Sequence, residues 1–458
     1  MKLDFSNFLY AMSYALDAAE KEVTGATAEH GKRVAWITWL CASKLGLRDD
    51  EIVDLIGCAV LHDNAVAEYL REEVDIVYNH IETEHSDVRS QYGDNSVHAY
   101  IGEQNAHILP FSTDMTNVIL YHHEKADGTG PFGKKADETN LFSQIIHISD
   151  RLDVAVDLPH ITEAQFDEVR ESIKKDTGTT YSKEVSDLFL QNVSWKQIKE
   201  MQTEGPLALL KRDIPVIIKD YTDSEMSRIA QFFAMIVDSK SSFTKNHSIG
   251  VAQKAETMAK HYGFAHEKIV RFVFAGAVHD IGKMVVGNDI LEKPDKLDAG
   301  EFSQMKNHAA ETYKILSSIQ RLEDITEWAS NHHEKLDGTG YSRRLSAEQL
   351  SFEDRLMACI DIYQALTEKR PYKDGLSHNR SIAIMRDMAQ QGKIDLSIVD
   401  EIDLVFGKDA VDEVEPYDVR LTTKKWKCSV CGYVYEGDTP PASCPICDSD
   451  MDQFELMD

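Results

Sequence analysis

The sequence predicts a mainly α protein: two tandem all-helical domains followed by a small β-rich module that carries four cysteines. Three observations lead there. A set of His and Asp residues occurs twice with nearly the same internal spacing, an apolar helical segment runs into the central His-Asp pair of each set, and two Cys-x-x-Cys pairs stand near the end of the chain.

His30, His62, Asp63, His98, His122, His123 and Asp150 make the first set, and His247, His279, Asp280, His308, His332, His333 and Asp361 the second. The lone His precedes the His-Asp pair by 32 residues in both (62 − 30 and 279 − 247), and the next His precedes the His-His pair by 24 in both (122 − 98 and 332 − 308). The text around the pair also repeats, His122-His123-Glu124-Lys125-Ala126-Asp127-Gly128-Thr129-Gly130 against His332-His333-Glu334-Lys335-Leu336-Asp337-Gly338-Thr339-Gly340. Register of this kind marks a tandem duplication. Neutral imidazoles and carboxylates are ligands for divalent transition metals, and an Asp can bridge two ions. Seven ligands shared by two ions leave room for a water and a phosphate oxygen, the arrangement a two-metal phosphoryl hydrolase needs.

The segments 52–61 and 270–278 are apolar almost all round, which places them in the middle of a bundle. Each delivers its His-Asp pair to the interior, and Gly57, Ala59, Ala275, Gly276 and Ala277 let neighbouring helices come close. The Asp-Gly-Thr-Gly stretches at 127–130 and 337–340 are turn sequences expected to stop the helices that carry the His pairs. The domains then run 1–204 and 222–407, joined by a connector at 205–221, with an acidic linker at 408–425 before the module at 426–458.

The second repeat resembles the HD-GYP phosphodiesterases over roughly Ser224 to Phe406. The motifs that carry the likeness are His279-Asp280-Ile281-Gly282-Lys283, His308, His332-His333-Glu334-Lys335-Leu336-Asp337-Gly338-Thr339-Gly340-Tyr341, and Asp361 followed by Thr367-Glu368-Lys369-Arg370-Pro371-Tyr372-Lys373. The resemblance implies an all-helical, metal-dependent hydrolase of cyclic dinucleotides such as cyclic di-GMP or cyclic GMP-AMP. It implies that His247, His279, Asp280 and Asp361 hold one metal, iron or manganese, and that Asp280, His308, His332 and His333 hold the other, with Asp280 bridging. Lys283 then falls near the scissile phosphate, with Tyr341, Arg370 and Lys373 as further substrate contacts. Three positions depart from the family. Ser342 follows Tyr341 where Pro is expected, Gln364 stands where an Asp is usual, and Phe243 occupies a position where some members place a Glu for a third metal, so a two-metal centre is expected.

The first repeat keeps the ligand set and loses the substrate signature. Val66 replaces the lysine, Pro131-Phe132 replaces the tyrosine, and no Arg-Pro-Tyr segment follows Asp150. Seven extra residues separate His62 from His98 (36 against 29 from His279 to His308). The expectation is a metal-binding domain of the HD type that does not cleave the usual substrate.

Cys428, Cys431, Cys444 and Cys447 form two Cys-x-x-Cys knuckles that suit iron or zinc. The Cys-Gly-Tyr text, with Trp426 and Phe454 available to pack round it, resembles the rubredoxin-like domain of rubrerythrins, which implies one redox-active iron; Asp448, where such sites usually have Gly, keeps zinc open. Because hydrolysis needs no electrons, the module is expected to set the oxidation state of an iron pair in the hydrolase. The alternatives are a di-iron HD-type oxygenase fed by this module and a non-catalytic metal or redox sensor.

With 49 Lys and Arg against 78 Asp and Glu, the net charge of −29 argues against a nucleic-acid partner. Lys283, Lys335, Arg343, Arg344, Arg370 and Lys373 are a local cationic exception. The N-terminus reads as an amphipathic helix, no stretch reaches the ~18 apolar residues of a membrane span, and Cys41, Cys58 and Cys359 sit in apolar text as free thiols. A cytoplasmic protein without membrane contact is expected, with a redox protein and a second copy of the chain as further candidate partners.

Overall fold

A computed structural model describes residues 1–24, 28–69, 72, 85–241, 246–293, 296–369, 375–407, 424–430, 434–437 and 451–456. Phe243, Arg370, Lys373, Cys431, Cys444, Cys447 and most of the acidic linker lie outside them. The chain is mainly helical, with few short strands. Met1–Asp412 forms one compact unit and Glu413–Asp458 a second.

In the large unit the first repeat runs through α1 (Phe5–Thr24), α2 (His30–Ala42), α3 (Asp49–Val60), α4 (Ser86–Tyr92), α5 (Asp94–Ala106) and α6 (Leu141–Ala155). Four further helices, α7 to α10, lie between Glu163 and Asp213. The second repeat repeats the order with α11 (Asp223–Ser239), α12 (His247–His261), α13 (His266–Val278), a 3-10 turn (Ile281–Val285), α14 (Asn288–Leu291), α15 (Ala299–Ser317), α16 (Glu323–Ser330) and α17 (Phe352–Thr367), closed by α18 (His378–Gln390) and α19 (Leu396–Phe406). The duplication reaches into backbone detail. The residue before each lone His, Glu29 and Asn246, is left-handed (φ 68° and 74°), so α2 and α12 each begin on their histidine after the same turn.

One apolar core runs through both repeats. Strand β1 (Lys2–Asp4) pairs antiparallel with β2 (Ile218–Asp220) of the connector, with Leu3 opposite Lys219. That pairing lays α1 against the second repeat. Its Phe8 meets Phe233 of α11 edge-on at 4.7 Å and Phe274 of α13 at 5.7 Å, both centroid distances at which aromatic rings attract. No helix among the described residues is long and apolar enough to cross a membrane. Cys41, Cys58 and Cys359 are buried free thiols.

In the small unit β3 (Lys424–Cys428) is the central strand, flanked by β4 (Val434–Gly437) and β5 (Phe454–Leu456). Cys428 is buried at the end of β3, opposite Phe454 of β5, and Trp426 faces Tyr435 and Leu456 in register.

Candidate active site

The apolar helices end where their ligands begin. Helix α13 stops at Val278 and leaves His279 at its C-terminus, with Asp280 opening the 3-10 turn. A β carbon on Gly282 would run into the His308 carbonyl oxygen and the Thr312 amide, so glycine is what lets the turn sit on α15. Thr312 Oγ1 fastens the approach by accepting the Gly282 N–H (3.1 Å) and donating to the His279 carbonyl (2.9 Å). The His pairs lie in turns rather than within helices: His332-His333 follow α16 after Asn331, and His122-His123 end a run of turns. The terminal carbonyls of a helix have no intrahelical partner, and the His332 ring uses one of them.

Five of the histidine rings are oriented by one recurring device. His279 Nδ1 donates to the Gly276 carbonyl (2.7 Å), His308 Nδ1 to Met305 (2.6 Å) and His332 Nδ1 to Ala329 (2.6 Å), each three residues back. A ring that donates from Nδ1 turns the Nε2 lone pair inward as a ligand. The first repeat does the same with His62 to Ala59 (2.9 Å) and His122 to Ile119 (2.6 Å).

Those nitrogens converge on Asp280. His279 Nε2 lies 3.2 Å and His247 Nε2 3.8 Å from Oδ2, while His308 Nε2 lies 3.3 Å and His332 Nε2 3.7 Å from Oδ1. Asp361 closes the ring, its Oδ1 3.1 Å from His247 and its Oδ2 3.7 Å from His333 Nδ1. The donor atoms of His247, His279 and Asp280 lie within 4.8 Å of one another, as do those of His308, His332 and His333, close enough for each group to share one ion. Burial and neighbouring imidazoles push His332 down to about 3, so its ring is neutral at physiological pH. Asp280 Oδ1 and His279 Nε2 are buried with no hydrogen-bond partner. Burying such groups unpaired costs free energy, and a divalent pair bridged by Asp280 would satisfy both, so the donor set fits two metals.

Lys283 Nζ sits 2.6 Å from Asp280 Oδ2. Burial opposes its charge, but Asp280 outweighs burial and raises its pKa, so the ammonium persists. The Tyr341 ring lies 4.7 Å from His333 and 6.3 Å from His308, with the Lys306 ammonium over the ring.

The first repeat gathers its set likewise, His30, His62 and Asp150 in one group and Asp63, His98, His122 and His123 in the other. His98 and His123 approach to 2.9 Å, and Asp63 Oδ1 and His122 Nε2 are again buried without a hydrogen-bond partner. Two differences stand out. Val66 is buried where Lys283 stands, so no cation from that turn reaches Asp63. The ring over His98 is Tyr69, 6.0 Å away, with the Arg89 guanidinium over it, so the extra residues after His62 supply a different wall.

Residues 231–398 match the HD domain family, and residues 426–455 match the rubredoxin-like domain of rubrerythrin. The 3′3′-cGAMP-specific phosphodiesterase 1 of Vibrio cholerae is 28% identical over 383 residues, 81% of this chain and 86% of that protein, and so spans both repeats. The second repeat therefore carries an HD domain. A cyclic di-GMP phosphodiesterase of Pseudomonas aeruginosa is 34% identical over 154 residues, 33% of this chain and 37% of its own length. A solved cyclic GMP-AMP-specific phosphodiesterase from V. cholerae superposes with a TM-score of 0.61 at 22% identity, covering 89% of this chain and 98% of that one, which establishes the shared fold.

Several residues that support the gathered histidines were not singled out from sequence. Glu334, next to the His pair, is buried, and its carboxylate accepts the backbone N–H groups of Arg343 (2.6 Å), Arg344 (3.0 Å) and Leu345 (2.9 Å). Glu124 does the same for Phe132 (2.5 Å) and Lys134 (2.7 Å). This pins the loop that carries Tyr341, and Gly340 must lack a side chain because a β carbon there would meet the Glu334 backbone. The signal was in the text, since Glu follows His-His in both copies. His147, buried in the first repeat only, donates from Nδ1 to the His122 carbonyl at 2.8 Å and holds that turn.

Proposed function

We propose that the second repeat hydrolyses a cyclic dinucleotide, opening one phosphodiester bond with a pair of divalent metals, iron or manganese, held by His247, His279, Asp280, His308, His332, His333 and Asp361. When bound, such a pair supplies an activated water and stabilises the charge that builds on the phosphoryl oxygens. The protein's own part is positional and electrostatic. Asp280 offers one oxygen to each ligand group. The Lys283 ammonium, anchored on Asp280, is placed to donate a hydrogen bond to a phosphate oxygen or a proton to the departing sugar oxygen. Tyr341 offers a ring beside His333 for a base or sugar to rest on. Arg370 and Lys373 complete the substrate contacts in this reading.

The observation that carries it is the pairing of Lys283 with Asp280 at the shared carboxylate, which the first repeat lacks. The curated relative spanning both repeats acts, by its name, on 3′3′-cGAMP, and shorter matches act on cyclic di-GMP. Chromatography of both cyclic dinucleotides after incubation with metal-loaded full-length protein tests the reading. Formation of a linear dinucleotide that stops on chelation supports it, and recovery of both substrates intact refutes it.

In the same proposal the first repeat binds two metals without cleaving this substrate, which its complete ligand groups and Val66 support. The four-cysteine module holds one iron and sets the oxidation state of an iron pair in the second repeat. A redox protein and a second copy of the chain remain proposed partners.

A further inference from the structure

His62, His122, His279, His308 and His332 bond carbonyls three residues back, whereas the lone histidine of each repeat bonds a side chain. It is held by a carboxylate from the helix that carries the last Asp ligand, and the two repeats place that carboxylate differently. In the first repeat Asp153, three residues after Asp150, lies 2.7 Å from His30 Nδ1. Arg33, three residues after His30, grips the same carboxylate through Nε at 2.6 Å and Nη2 at 2.7 Å. In the second repeat both of these places are changed. Gln364 stands three residues after Asp361, and Gly250 three residues after His247. His247 Nδ1 instead meets Glu368 Oε2 at 2.8 Å, seven residues after Asp361. Gln364 Nε2 donates to that same oxygen at 3.0 Å, and Lys254, seven residues after His247, donates to Gln364 Oε1 at 2.6 Å.

Positions three and seven differ by four residues, about one helical turn, and so share a face. The acid on α17 and the cation on α12 have therefore moved one turn in the same direction, from Asp153 and Arg33 to Glu368 and Lys254. The old positions are filled as a pair too. Gln364 packs so closely on Gly250 that a β carbon there would overlap its amide, so an Arg33-like side chain cannot coexist with this arrangement. Helical side chains lean toward the N-terminus, and Glu368, just past the end of α17, uses its extra methylene to reach back to the imidazole.

We propose that Glu368 is the positioning residue for the metal ligand His247, steadied by Gln364 and Lys254, and that it replaces an acid at position 364. The proposal rests on the two-metal reading of the second repeat. A carboxylate on the outer nitrogen of a ligating histidine fixes its tautomer and raises its basicity, and losing one typically costs 10- to 100-fold in metal affinity or activity.

The test uses the full chain carrying His62→Ala and Asp63→Ala to silence the first repeat, with Mn²⁺ binding followed by equilibrium dialysis; Mn²⁺ suits carboxylate-containing sites and is not selected by thiolates. Adding Glu368→Ala is expected to weaken Mn²⁺ binding roughly 10- to 100-fold, and the size-matched Glu368→Gln to weaken it as well. Restoring an acid one turn back, Glu368→Ala with Gln364→Asp, is expected to recover most of the loss, a rescue that a purely structural role for Glu368 would not give. Unchanged affinity in Glu368→Ala and Glu368→Gln overturns the proposal, and so does a loss that Gln364→Asp leaves in full. Failure of the parent chain to bind Mn²⁺ at all refutes the two-metal reading itself and is told apart from either result.

Discussion

Lys283 Nζ lies 2.6 Å from Asp280 Oδ2, a cation set one turn beyond the carboxylate on which both ligand groups converge. The ammonium is not among the metal donors in this account, so its loss should separate chemistry from metal content. Lys283→Met is expected to lower kcat by about 10²–10³, the effect of removing one preorganised electrostatic group, while elemental analysis still finds the second repeat loaded. A parallel loss of metal would make Lys283 a structural support of Asp280 instead.

The Glu334 carboxylate collects three backbone N–H groups from the loop beyond Tyr341. Losing hydrogen bonds to a charged group such as the buried Glu334 carboxylate costs about 1.5–3 kcal/mol, and here the cost falls on the loop that carries the aromatic ring beside His333. Glu334→Ala is expected to lower the unfolding free energy by about that amount and to raise KM more than it lowers kcat. Steady-state kinetics with urea unfolding checks both, and unchanged KM would detach the loop from substrate binding.

The gathering of the His and Asp sets was legible in the sequence because a duplication repeats their spacing. His30 and His247 begin their helices after the same left-handed residue, and nothing in residue type announced that. Glu334 was visible as repeated text, yet its role depends on a loop folding back over it. Glu368 was hidden for a different reason. Gln364 stands where the first repeat has Asp153, but Glu368, just past the end of α17, and Lys254 of α12 lie one turn further along, and only packing brings them to one imidazole. The placement of α1 against the second repeat likewise follows from β1 pairing with the connector, a three-residue contact too short to carry a periodicity.

The cysteine module separates by colour. Ferric iron in four thiolates absorbs strongly in the visible and bleaches on reduction, whereas zinc is colourless. The purified chain is expected to be coloured and, well loaded, to approach five transition ions, two for each repeat and one for the module, by elemental analysis. Deleting residues from Trp426 onward should change how hydrolysis responds to oxidation while leaving reduced-state activity largely intact. Stoichiometric zinc, or identical redox dependence in the truncated and full-length chains, removes the regulatory role.

The central claim is that two gathered metal sites divide between a hydrolase and a non-hydrolytic repeat. The most direct test compares His279→Ala with His62→Ala, the matching ligand in each copy, for hydrolysis of 3′3′-cGAMP and cyclic di-GMP at saturating metal. The account predicts that His279→Ala abolishes turnover because its centre can no longer hold the pair, and that His62→Ala retains most of it. Loss of activity from His62→Ala with activity surviving in His279→Ala, or equal loss from both, would contradict the assignment of catalysis to the second repeat.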